Sequence, residues 1–292
     1  MIKKILVTGA NGDFGQSIVR NLLSAGHTVI ASMRDTEKRN QQHKKELESI
    51  GAYVIEMDVT NDWSVERGID LAIEYAQTLD GVVNNAGLGC YGIQDEFSDH
   101  DWQKIFDVNV FGVQRINRAI IPHLKKNNQG FLLHVSSLIG RMILPYWGPY
   151  SASKWALEAL AETYRVELAQ FNIDSCIIEP GPYATSFFQN LSQPQAPHKN
   201  SNSTTQSQQA DELYIELLGT LVSSTLQNSV NVATAIRQVI ELPIGLRPLR
   251  TVVDSLGIGD HIARYNEHHE KLTYQVYQQF GIEQMQQVKT QN

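Results

Sequence analysis

The sequence predicts an α/β fold built on one doubly wound parallel sheet. Three observations predict it. Short apolar runs alternate with longer amphipathic stretches through the first half of the chain. A glycine-rich turn follows the first run and opens a helix-like stretch. The 292 residues, 42% of them hydrophobic, are enough for one sizeable core.

The strand-like runs are residues 5–8, 28–31, 52–57, 81–84, 131–136 and 173–179. Their near-continuous apolar character suits strands buried on both faces. Between them, 14–25 places Ile18, Leu22 and Ala25 on one helical face. Residues 102–125 align Ile105, Val108, Phe111, Val113, Ile116 and Ile120, and 155–169 align Leu157, Leu160, Tyr164 and Leu168. Right-handed crossovers then wind helices onto both faces. From 189 to 209 the chain turns to Gln, Asn, Ser, Thr and Pro, with only Leu191 and Ala196 aliphatic. Such a segment cannot bury a core, which predicts a mobile polar loop within about 186–229. Its position after a strand's C-terminal end suits a lid over a ligand. A helix near 232–240, a short strand at 249–253 and a last helix with Ile262, Tyr265, Leu272, Val276 and Phe280 on its apolar face complete a single domain over 1–292. There is no internal repeat.

The net charge of −7 argues against general nucleic-acid affinity. Two cysteines, Cys90 and Cys176, give no disulfide framework. No apolar stretch approaches the roughly 20 residues of a membrane helix, and the apolar run at the N-terminus is too short for a signal peptide. The expectation is a cytoplasmic protein that binds no membrane and no metal.

Thr8-Gly9-Ala10-Asn11-Gly12-Asp13-Phe14-Gly15 follows a predicted strand and opens a helix. Glycines there permit a tight turn and close approach to phosphate, and the helix N-terminus offers free N–H groups. Tyr150 and Lys154 lie four residues apart at another helix start, with Pro149 in the first turn. A neighbouring cation stabilises a phenolate, so the pair suits acid–base work on a carbonyl. Company makes the pair specific. Ser137 lies thirteen residues upstream at a strand end, Asn84-Asn85-Ala86-Gly87 ends another, and Pro180-Gly181 with Thr185 ends a third. These ends converge on the ligand-binding edge of such a sheet.

With these motifs in order, and with Asn109 inside a long helix, the sequence resembles the short-chain dehydrogenase/reductase family, the Tyr-x-x-x-Lys branch of the Rossmann-type fold, from Ile2 to Thr185. The resemblance implies an NAD(P)-dependent oxidoreductase acting on CH–OH and C=O groups. Tyr150 would be the general acid in reduction and base in oxidation, and Ser137 would bind the substrate oxygen. Lys154 would hold the nicotinamide ribose and lower the tyrosine pKa, and Asn109 would hold a relay water. Cofactor contacts would come from Thr8, Gly9, Asn11, Gly12, Gly15, Arg34, Asp58, Val59, Asn85, Ala86, Gly87, Pro180, Gly181 and Thr185. Asp58 also reads as a plain turn residue.

By the same comparison Met33 stands where an NAD-binding acid would end the second strand, and Arg34 follows it. NADP(H) is therefore favoured over NAD(H), although a small backbone shift would let Asp35 take the acid's role. Leu88, Tyr91, Ile93, Leu138, Leu144, Tyr146, Trp147 and Phe187 suggest a pocket for a hydrophobic ketone or secondary alcohol, a small-molecule partner. A homodimer or homotetramer would pair through the long helices. Two other readings compete: a catalytically silent NAD(P)-sensing regulator, and a nucleotide-sugar epimerase or dehydratase suggested by the Gly9, Gly12, Gly15 spacing. The intact Ser137, Tyr150 and Lys154 disfavour the first, and the short C-terminus disfavours the second. The main departure from the family pattern is Asp13, where the middle glycine is usual. The expectation is that Gly12 makes the close approach and Asp13 turns away from the phosphates.

Overall fold

Side-chain alternation along the apolar runs decides the architecture. In β1 (Lys4–Thr8), Ile5 and Val7 face one side of the sheet and Leu6 the other, and all three are fully buried. The computed structural model describes residues 1–195, 219, 227–286 and 288. Among them β1, β2 (Thr28–Met33), β3 (Tyr53–Glu56), β4 (Gly81–Asn84), β5 (Gly130–Val135), β6 (Ile173–Pro180) and β7 (Arg250–Val253) form one sheet in the order β3-β2-β1-β4-β5-β6-β7. Every pairing is parallel. The winding direction reverses between β1 and β4, which opens a crevice above their C-terminal ends.

The helices, in chain order, are α1 (Asp13–Ser24), α2 (Gln41–Ser49), α3 (Asp62–Ala76), α4 (Asp99–Phe106), α5 (Val113–Asn127), α6 (Gly148–Ala169), α7 (Ser186–Gln189), α8 (Ser229–Glu241) and α9 (Gly259–Phe280). α1 and α8 seal one face with Ile18, Leu22, Val232, Ile236 and Ile240. α3, α5 and the end of α6 seal the other with Val65, Ile69, Ile116, Ile120 and Leu168. The predicted strands and the doubly wound topology are thus present.

Three features differ from the expectation. The helix expected over 102–125 is α4 and α5 joined by a π-helical turn, Asp107–Gly112, that carries Asn109. Such turns re-aim side chains at functional sites. The last helix turns Ile262, Asn266, His269, Thr273 and Tyr277 toward the body and leaves Tyr265, Leu272, Val276 and Phe280 exposed, because its packed face is not the apolar stripe. The beginning of the polar segment is docked, not loose. α7 precedes a bridge in which Ser192 N–H donates to the Gly89 carbonyl (2.9 Å) and Tyr91 N–H to the Ser192 carbonyl (3.0 Å). The rest of the expected lid, 196–218 and 220–226, lies outside the described residues.

The far end of β6 is held by charge. Asp174, fully buried, accepts from Arg165 (3.0 Å), Arg247 (2.7 Å) and the Gly245 N–H (3.1 Å). Removing one partner of a buried ion pair leaves uncompensated charge. Asp174→Ala is therefore expected to lower stability by about 3–5 kcal/mol in urea unfolding. A loss under about 1 kcal/mol would show that the two arginines find other partners.

Candidate active site

The crevice at the switch point is a cleft of about 1060 Å3. Its floor is the turn after β1. Gly9 takes φ +64°, and a Cβ there would come within 2.7 Å of the Ala86 backbone. Only glycine lets this turn lie against the end of β4. Thr8 and Asn85 weld the two strand ends together. The Thr8 hydroxyl accepts from the N–H groups of Asn85 and Ala86, both at 3.0 Å, and the Asn85 amide donates to the carbonyls of Thr8 (2.9 Å) and Gly9 (3.1 Å). Thr8 itself is buried and does not line the cleft, so it acts behind the cofactor-facing surface.

Gly12 is the N-cap of α1 and provides no side-chain cap, which leaves the first-turn N–H groups turned to the cleft. A dinucleotide's diphosphate fits such a cradle: glycine floor, free donors, positive dipole end. Asp13, in the first turn, bends across the cleft mouth to α7. Its Oδ2 accepts from the Ser186 N–H (2.6 Å) and hydroxyl (2.5 Å). The carboxylate is thereby engaged with a partner 173 residues away. Gly12 lines the cleft beside it.

At the ribose end, Arg34 is half-exposed and pairs with Asp58 at 3.8 Å. Asp58 also accepts from the Thr60 N–H (2.9 Å) and hydroxyl (2.8 Å), so it is both turn residue and cleft wall. Asp35 stands in the left-handed region at φ +51°, and its carbonyl accepts from the N–H groups of Lys38 and Asn40. The turn that results brings Arg39 and His43 to the same wall. The sequence reading missed both, although they follow the strand end within one helical turn of Asn40. Asn11, Gly15, Val59, Ala86, Gly87, Pro180, Gly181 and Thr185 all line the cleft as expected.

The reacting end gathers Ser137, Tyr150 and Lys154. Ser137 follows β5, and α6 begins at Gly148 with Pro149 in its first turn. The Ser137 hydroxyl faces the phenol of Tyr150 and works to lower its pKa. The Lys154 ammonium donates to the Val135 carbonyl (2.8 Å) and lies 5.6 Å from the Tyr150 ring centre. Burial lowers the Lys154 pKa to about 8, against the pull of Glu158. Burial also holds Tyr150 well above an ordinary phenol, and the Ser137 hydroxyl only partly opposes it. Desolvation, not the lysine, thus dominates the tyrosine, and its proton stays on at neutral pH. Asn109, 1% exposed, is satisfied by protein. It accepts from the Leu88 N–H (2.8 Å) and donates to the Leu88 carbonyl (2.9 Å) and Ser153 (3.0 Å). Ser153 in turn donates to the Tyr150 carbonyl (2.7 Å). The side chain therefore fixes the turn after Gly87 against α6.

Beyond Tyr150 the wall is apolar. Leu88, Leu138, Leu144, Trp147 and Phe187 line it as expected, joined by Met142 and Phe188. Tyr91, Ile93 and Tyr146 do not line it. Tyr91 is buried against Trp147 with ring centres 5.5 Å apart, and Tyr146 sits in a left-handed turn at φ +67°. Both support the wall from behind.

Fold and site together define a doubly wound α/β domain with a glycine-floored cleft and a tyrosine–lysine pair at its centre. Residues 3–196 match the family model for short chain dehydrogenase, and the chain belongs to that family. It is 33% identical to a 3-ketodihydrosphingosine reductase of Bacteroides thetaiotaomicron over 64% of this chain and 66% of that one. It is also 33% identical to retinol dehydrogenase 8 of Bos taurus over 63% and 60%. The chain thus matches less than two thirds of the length of these two relatives. A short-chain dehydrogenase/reductase of Burkholderia phymatum in complex with NAD superposes with a TM-score of 0.74 at 26% identity, over 94% of this chain and 95% of that one. No helix among the described residues is long and apolar enough to cross a membrane.

Because Asp13 bonds Ser186, Asp13→Gly is expected to change NADPH affinity by less than about tenfold, or 1.4 kcal/mol. The variant should also melt slightly lower, having lost a charge at a helix N-terminus and gained backbone entropy. Fluorescence titration of both proteins with NADPH checks this, and a hundredfold tightening would mean the carboxylate meets the phosphates.

Proposed function

We propose that this chain is an NADP(H)-dependent carbonyl reductase or alcohol dehydrogenase for a hydrophobic ketone or secondary alcohol. The observation that carries the reading is the seam in the cleft: Ser137, Tyr150 and Lys154 stand where a polar cradle meets an apolar wall. When bound, the nicotinamide supplies or accepts the hydride. In reduction Tyr150 donates its proton to the carbonyl oxygen, and Ser137 hydrogen-bonds the same oxygen as charge develops on it. Its raised pKa makes Tyr150 a proton donor at rest, and the Lys154 charge stabilises the phenolate that donation leaves behind. In oxidation the same groups run in reverse. The lysine ammonium also lines the cleft and would donate to the ribose hydroxyls of a bound nicotinamide nucleotide.

Two arginines, Arg34 and Arg39, with His43 on the same wall, support a 2′-phosphate and hence NADP(H) over NAD(H). Two relatives named for a sphingoid ketone and for retinol support an extended apolar substrate. Phe111 and Trp155, exposed on the long helical face, support pairing of two chains there.

Screening apolar ketones and secondary alcohols while following NADPH absorbance tests the reading. With a substrate in hand, Tyr150→Phe should lose about 100-fold or more of kcat with NADPH affinity nearly intact. A variant keeping a tenth of the rate would remove Tyr150 from the acid's role. The lysine adds a pH signature. Its proton is present below about 8 and lost above, so NADPH binding should weaken as pH rises through that value. Lys154→Met should bind weakly at every pH, and a step unchanged in that variant would belong to another group. Replacing Met33 by Asp together with Arg34→Leu should swing preference toward NADH; a wild type already preferring NADH would point to Asp35 instead.

A further inference from the structure

One helical turn beyond Lys154, behind the cleft lining, α6 buries a carboxyl group that the chemistry above does not use. Glu158 and Glu179 are 1% and 0% exposed. Both reach the same guanidinium: Arg250 Nε lies 3.0 Å from Glu158 Oε2 and 3.4 Å from Glu179 Oε1. The Asn266 amide donates to Glu179 Oε2 at 2.6 Å, and Arg141 donates to Asn266 Oδ1 at 3.0 Å. Arg250 continues to Glu162 and, at 3.5 Å, to Glu270, while Arg141 stands 3.9 Å from Glu162. His269 faces Glu162 at 3.9 Å, with its pKa lowered by burial.

Two features of this cluster point to a shared proton. The Ser136 hydroxyl stands beside Glu158 and Arg250 Nε lies 3.4 Å from Glu179 Oε1, yet the two buried carboxyls also face each other closely enough to act on one another. Two ionised carboxylates in that position repel, whereas one carboxylic acid donates to its neighbour. Charge agrees. The cations Lys154, Arg141 and Arg250 are matched by Glu162, Glu270 and a single further anion, which the pair provides only if it keeps one proton. Burial and Glu158 push Glu179 up to about 9, consistent with the proton residing there.

The cluster sits directly against the lysine. A Cβ on Gly140 would lie 2.7 Å from Ser136 Oγ and 3.3 Å from both Lys154 Cβ and Glu158 Cγ, so backbone closes the space around the two side chains. With Glu158 four residues beyond Lys154 on one helix, its charge acts across a turn with little water between. We propose that Glu158 is a positioning residue for Lys154: it shares one proton with Glu179, and the single negative charge left on the pair keeps the lysine ammonium protonated in a dry interior. The inference rests on Lys154 being the working cation of the proposed function.

Lysine labelled with 13C at Cε, followed by NMR across pH, reads that charge without any substrate. The Lys154 resonance, assigned by its absence in Lys154→Arg, is expected to titrate near 8 in the wild type. Glu158→Gln moves the anion onto Glu179, farther from the lysine, and should lower the midpoint by about one pH unit or more, a tenfold rise in the deprotonated fraction. Glu179→Gln puts an amide where the shared proton was and should leave the midpoint within about 0.3. An unmoved midpoint in Glu158→Gln, or an equal movement in both variants, overturns the proposal. Should either variant fail to fold, infrared spectra of the wild type with 13C-glutamate decide it: a protonated carboxyl band at pH 7 is expected, and its absence refutes the shared proton. Normal turnover by Lys154→Met would sink the proposed function while leaving the titration result standing.

Discussion

Keeping a lysine charged inside a dry core is the constraint around which the rest of this molecule is arranged. An ammonium without water needs partners at fixed positions, or it gives up its proton. The Val135 carbonyl at the end of β5 provides one, which ties the lysine to the strand that also delivers Ser137. The first turns of α6 provide the frame: Tyr150, Ser153 and Lys154 are all buried there, and Asn109 bolts Ser153 to the turn after β4 through the Leu88 backbone. Lys154, Tyr150 and Ser137 are thus held by three elements that the parallel sheet brings side by side.

The cleft divides by polarity along the same seam. On one side lie glycine backbone, uncapped N–H groups and cationic side chains, all suited to phosphate. On the other lie leucine, methionine, tryptophan and phenylalanine, which favour a substrate body without charge. Asp13 bridges the two sides by fastening α7 over the mouth, so the residue that departs from the family's glycine pattern doubles as a structural clasp.

Much of this was legible in the sequence, for physical reasons. Strands buried on both faces are mostly apolar, so β1, β2, β4, β5 and β6 could be placed within a residue or two despite the buried Asp174 and Glu179 of β6. The tyrosine–lysine spacing is a helix property, and the glycine turn announces itself by its context after a strand. What could not be read depended on partners distant in sequence. The bond between Asp13 and Ser186, the convergence of Glu158, Glu179 and Arg250 from one helix and two strands, and the arrival of Arg39 and His43 at the ribose end are tertiary events. The π-helical turn at Asn109 leaves no periodic trace, since a single added residue looks like drift in an amphipathic pattern. Aromatic residues misled in the other direction: Tyr91 and Tyr146 read as pocket lining but serve as its backing. The apolar stripe of α9 read as core although that helix packs by another face, through Ile262, Asn266 and His269.

A crystal structure of the chain with NADP+ tests the central claim most directly. The account places the diphosphate on the first turn of α1, the 2′-phosphate among Arg34, Arg39 and His43, and the ribose hydroxyls of the nicotinamide against Lys154. The nicotinamide ring then faces Ser137 and Tyr150. A cofactor bound with its nicotinamide away from Tyr150, or with Lys154 touching neither ribose hydroxyl, would contradict it.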